Sequence, residues 1–103
     1  MINKNNILFQ YEKISALTFY MLVLSRIRRW GELPALEAQC DDILKQLKAS
    51  EYLQTLNAEQ LMQKSRLLYT INSNQHKISR LIQPQLDMLV ANMRNLELQQ
   101  HLH

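Results

Sequence analysis

Apolar residues recur along this chain at the three- and four-residue steps that mark one face of an α-helix, in three long runs. The first holds Ile7, Tyr11, Ile14, Leu17, Met21, Leu24 and Ile27, broadened by Leu22 and Val23, and predicts a helix over about 6–29, some 35 Å long. The second holds Leu33, Leu36, Cys40, Ile43, Leu44 and Leu47 over about 32–50, with Glu37, Asp41, Asp42, Lys45 and Lys48 mostly solvated. The third is the longest. Leu61, Leu68, Ile71, Ile78, Ile82, Leu89, Met93 and Leu96 keep steps of three, four or seven straight through "NSNQH", which predicts a helix over about 58–94, roughly 55 Å long.

Two short stretches interrupt the pattern. "SRIRRWGELPALEAQC", residues 25–40, holds the only Trp, the only Gly, the only Cys and one of the two prolines. Gly31 can take the left-handed conformation that stops a helix, and Pro34 suits the first turn of the next, where its missing N–H costs nothing. A structural corner of Trp30, Gly31, Leu33, Pro34 and Leu36 is expected, with Trp30 packed across the junction as a lid. "ASEYLQTLN", residues 49–57, reads as the second loop, and Asn57 with Gln60 forms a capping-box pattern that opens the third helix beside Glu59. Pro84 removes one backbone hydrogen bond and crowds the carbonyl of Arg80, which predicts a kink. The expected fold is all-α: one domain over 1–103, an antiparallel bundle of three long helices. The third is kinked near Pro84, and a short C-terminal tail stands in for a short or absent fourth helix.

Composition narrows the chemistry. A chain of 103 residues supports one modest core. One Gly and two Pro leave little punctuation for hairpins, and a single Cys permits no internal disulfide and fits a reducing compartment. The net charge of +3 contains no long basic run. The apolar stretch Ile14–Leu24 is about half the roughly 20 residues of a bilayer span and holds Ser15, Thr18 and Tyr20, so no membrane role is expected. Arg26, Arg28 and Arg29 suit the negative end of the first helix; with Lys13 they also leave open a phosphate-binding patch.

There is no Gly-rich phosphate loop and no spaced Cys/His cluster, and the adjacent Asp41 and Asp42 point different ways on a helix. Cys40 lies on an apolar stripe and reads as a core residue. His76 beside Lys77 reads as a surface residue, and His101 and His103 do not align on one helix face. No catalytic residue, cofactor or metal is expected, and the chain is read as no enzyme.

Helix lengths carry the functional expectation. The second helix has about 19 residues, so the third should draw level with the Trp30 corner near residue 76 and overhang beyond it. Ile78, Ile82, Leu86, Leu89 and Met93 would then project uncovered, each forgoing about 1.5–3 kcal/mol of burial. A C-terminal tail, a second copy in a homodimer, or a client protein must cover them. The client-facing set is expected to be Ile78, Ile82, Leu86 and Leu89, with a second face of the third helix near Leu67 and Tyr69.

The run Trp30-Gly31-Glu32-Leu33-Pro34-Ala35-Leu36-Glu37, preceded by Tyr11 and "ISALTFYMLVLSR", resembles the FliT family of flagellar export chaperones. "ISRLIQPQLDML", Ile78–Leu89, is similar to that family's long third helix, including its frequent proline. The likeness spans about Tyr11–Leu96. Gly31 stands where the family tends to have Asp, Arg28 where a Gly often precedes the Trp, and Cys40 where an aromatic is common. The resemblance implies a cytoplasmic type III export chaperone that binds the filament-cap protein FliD and delivers it to the export apparatus with its ATPase complex. In some members it also implies restraint of the master regulator FlhDC, and thus transcription regulation. It implies neither a membrane nor a nucleic-acid partner. Two other classes fit the residues alone: a structural homo-oligomeric bundle, and a small basic nucleic-acid binder using Lys13, Arg26, Arg28 and Arg29.

Overall fold

The computed structural model describes residues 7–50 and 55–101. Helix α1 runs Ile7–Arg26, a 3-10 turn follows at Trp30–Glu32, α2 runs Leu33–Ser50 and α3 runs Ala58–His101. Among the described residues there is no strand.

α1 stops three residues earlier than its apolar pattern predicts, and the reason lies in one backbone angle. Arg28 sits in the left-handed region, φ 62°, while Gly31 does not. The Arg28 N–H donates to the Ser25 carbonyl (3.2 Å) and the Arg29 N–H to the Leu24 carbonyl (2.9 Å), the paired bonds of a Schellman end. The expectation that Gly31 stops α1 is therefore corrected: the role falls to Arg28. Ile27, still bonded to the Val23 carbonyl (3.2 Å), is 56% exposed and off the buried face assigned to it, because its helical phase places it opposite Thr18.

The far end of the hairpin follows the sequence. The Gln60 N–H donates to Asn57 Oδ1 (2.8 Å) and the Asn57 N–H donates to Gln60 Oε1 (3.0 Å), so the capping box closes reciprocally at the start of α3.

α1 is the central helix. Its Ile7, Tyr11 and Ile14 pack with Ile43 and Leu47 of α2 and Ile71 of α3, and Leu17 and Leu67 lean on the same cluster. α1 meets both other helices, whereas α2 and α3 barely meet each other. By length and composition alone α1 could cross a membrane, but its buried side chains are covered here by α2 and α3.

One buried polar pair registers α3 on α1. Asn74 Nδ2 donates to Thr18 Oγ1 (3.2 Å), and Thr18 Oγ1 donates in turn to the Ser15 carbonyl (2.9 Å), so both groups are satisfied away from water. Nearer the helix starts, the Lys64 ammonium lies 5.6 Å over the Tyr11 ring. The two pairings advance together, so α3 rises alongside α1 in the same direction. The 56-residue offset of the Thr18–Asn74 pair, carried to Arg26, brings Ile82 level with the end of α1. The expected crossing near residue 76 is thus corrected to about 82, because α3 is registered by its contact with α1 and not by the length of α2. Ile78 is accordingly buried, 7% exposed, and does not overhang.

α3 continues through Pro84 to His101, past the expected end near residue 94, and no further helix follows it among the described residues. Its 44 residues make about 66 Å of helix, which accounts for the long axis of a molecule measuring 68 × 24 × 20 Å.

Candidate partner-binding groove

Because α2 and α3 both pack on α1 but stand apart from each other, a groove of about 610 Å³ opens between them with α1 as its floor. Tyr11, Ile14, Thr18 and Met21 form the floor. Leu33, Cys40 and Leu44 form the α2 wall, and Leu68, Ile71, Gln75, Ile78 and Ile82 form the α3 wall. Glu37 and Asp41, one helical turn apart on α2, set carboxylates along one side. The lining is mostly apolar with a few polar groups, the character of a site that takes an apolar helix or ligand.

Cys40 contributes a buried sulfur to this wall. Burial pushes its thiol pKa up, and the neighbouring Asp41 and Glu37 carboxylates push it the same way. A thiol held protonated is a poor nucleophile, so Cys40 acts here as an apolar surface.

Beyond the corner the α3 wall goes on without the other two helices. Ile82, Leu86, Leu89, Met93 and Leu96 follow at steps of four, three, four and three, the spacing of a coiled-coil seam. Ile82 is half-buried in the groove mouth, while Leu86 is 48%, Leu89 56%, Met93 54% and Leu96 60% exposed. Gln83 and Asp87 are bonded to each other (2.9 Å) beside this stripe. The groove and the overhang therefore form one apolar track along α3, covered on two sides at its lower end and bare at its upper end.

The residues singled out from sequence separate in space. Ile78 and Ile82 line the groove, and Leu86 and Leu89 extend it. Leu67 packs against the core, while Tyr69 is 76% exposed on another side of α3, so these two do not form one surface. At the corner, Leu33 is buried, Trp30 and Leu36 are half-buried, and Gly31 and Pro34 are exposed. Trp30 is thus only partly covered. His76 is exposed, and His103 lies outside the described residues. Among the described residues no group of three or more His, Cys, Asp or Glu is placed to hold a metal.

Sequence reasoning missed the floor of the groove and the Thr18–Asn74 pair. A signal for the latter existed: Leu67, Ile71, Asn74 and Ile78 step by four, three and four, so Asn74 occupies a seam position facing α1.

The family model of the flagellar protein FliT matches residues 8–103, nearly the whole chain. No curated protein and no solved structure matches it significantly.

Proposed function

The chain belongs to the FliT family of flagellar proteins, and from that premise we propose that it is a cytoplasmic type III export chaperone whose client is the filament-cap protein FliD. The client's amphipathic C-terminal helix lies along α3, its apolar face seated on Ile82, Leu86 and Leu89 and entering the groove beside Ile78. The observation that supports this reading is the bare continuation of the groove wall. Four or five large apolar side chains in water forgo about 1.5–3 kcal/mol each, a sum comparable with the stability of a small domain. A client helix that covers them keeps itself from premature assembly and delivers that free energy to the complex.

In the same reading the chaperone hands its client to the export ATPase complex, and the stripe is also where FlhDC would be restrained. A homodimer formed through the stripe competes with the client, so client capture weakens as chaperone concentration rises, by mass action. Tyr69, exposed on another side of α3, is a secondary contact, and Leu67 has no part in it. Neither a catalytic residue nor a cofactor has a part in this mechanism.

Replacing Leu86 and Leu89 together with Ser tests the proposal. Circular dichroism and the melting midpoint stay near wild type, and capture of the cap protein's C-terminal helix is lost, because those side chains belong to the interface and little to the isolated core. Capture at wild-type strength would move the client site elsewhere, and unfolding would make the stripe part of the core.

A further inference from the structure

α1 carries a second uncovered apolar surface, on the side away from the groove floor. Tyr20 and Ile27, seven residues apart, are 51% and 56% exposed, and beside them lies Phe19, 57% exposed. At 100° per residue, Tyr20 and Ile27 fall on the opposite side of the helix from Thr18, which faces the groove. The C-terminal half of α1 thus carries large apolar side chains on the side that α2 and α3 leave uncovered, with Glu12 and Lys13 confined to its N-terminal half.

Its end is strongly basic. Arg26, Arg28 and Arg29 are all exposed and flank Ile27 in sequence. Their one acidic neighbour among the described ion pairs is Glu32, which Arg29 meets only at 3.9 Å with both side chains more than half exposed. Arg28 occupies a left-handed backbone position that disfavours any side chain other than Gly. The corner therefore presents three exposed arginines beside an exposed isoleucine, with two exposed aromatics about two turns behind.

We propose that this face docks the protein peripherally on an anionic lipid surface. Helices that lie in a membrane interface combine an apolar stripe with aromatic residues and flanking cations, and each cation at headgroup level is worth about fivefold in partitioning. A nucleic acid would use the arginines but leave Phe19, Tyr20 and Ile27 in water. An anionic lipid surface uses both. The docking is interfacial and leaves α1 in the bundle, and it departs from the sequence expectation of no membrane role. The docked side is opposite the groove, so a client and a membrane can be held together.

The test is co-sedimentation of the full chain with vesicles of phosphatidylcholine alone and of phosphatidylcholine with one-third phosphatidylglycerol. The protein should pellet with the anionic vesicles, not with the neutral ones, and release as salt rises. Replacing Arg26, Arg28 and Arg29 with Gln should weaken binding roughly 100-fold, and replacing them with Lys should largely preserve it. Tyr20→Ser with Ile27→Ser should also reduce binding. All variants should keep wild-type melting and cap-protein capture, which separates this proposal from the chaperone reading. Equal pelleting with both vesicle types, no pelleting with either, or arginine-dependent binding to a DNA duplex with none to vesicles would overturn it.

Discussion

The lower and upper halves of α3 share one helix and one kind of apolar spacing, yet they have opposite surroundings. From Leu67 to Ile78 the seam faces α1, with Ile71 and Ile78 buried and Asn74 bonded to Thr18. From Leu86 to Leu96 an equally regular seam faces water. Periodicity specifies which side of a helix is apolar, but what covers that side is settled by how many residues the neighbouring helices supply. α1 ends at Arg26, level with Ile82, and α3 runs on to His101. The lower half is therefore core and the upper half is left exposed.

The largest effect expected from this contrast is a split in stability. Ile71→Ala should cost about 2–5 kcal/mol, the range for a buried aliphatic truncated in a core, whereas Leu89→Ala should change stability by less than about 0.5 kcal/mol. Chemical denaturation of both variants checks the pair. Similar losses would mean the upper half is already packed in the free protein.

The polar pair that sets the register comes next. Thr18→Val removes the acceptor for Asn74 and leaves a buried amide without a partner, a loss of about 1–3 kcal/mol. Replacing both residues, Thr18→Val with Asn74→Leu, should recover much of that stability. If the pair alone fixes the offset of α3, the double variant should also loosen the register, read as broadened NMR resonances for Ile78 and Ile82.

Much of the architecture was legible in the sequence, and the exceptions have physical causes. The three helices follow from unbroken spacing, and the α3 start from the Asn57–Gln60 pattern, because both depend on local geometry that a few neighbouring residues determine. Gly31 misled because glycine is the usual left-handed residue, yet the helix ended three residues sooner and an arginine took the conformation. The overhang was recognisable from helix lengths, but its starting point was displaced by six residues, since register on α1 depends on a long-range contact between Thr18 and Asn74. The groove was not legible at all. It exists because α2 and α3 diverge over α1, and no local pattern records the distance between two helices.

The misplaced glycine gives a smaller, stabilising test. Arg28→Gly should raise stability by about 0.5–1 kcal/mol, since a left-handed backbone is nearly free for glycine. That corresponds to a melting midpoint higher by about 4 °C in a domain of this size. A drop would mean the arginine side chain holds the corner together.

Pro84→Ala should have the smallest effect on global stability. Pro84 is inside α3 but above the level of α1, so restoring the backbone bond to the Arg80 carbonyl should add helicity to the overhang and leave the unfolding midpoint almost unchanged. A large change in midpoint would show that the two halves of α3 unfold as one unit.

The lower half of α3 is held by the chain itself, and the proposed function has a partner hold the upper half. Hydrogen exchange along α3, measured in dilute free protein and with the cap protein's C-terminal helix bound, tests it directly. Amides of 67–82 should exchange slowly in both states, and amides of 86–98 should exchange rapidly when free and slow markedly on binding. Strong protection of 86–98 in the free monomer, or no change there when the client binds, would contradict the account.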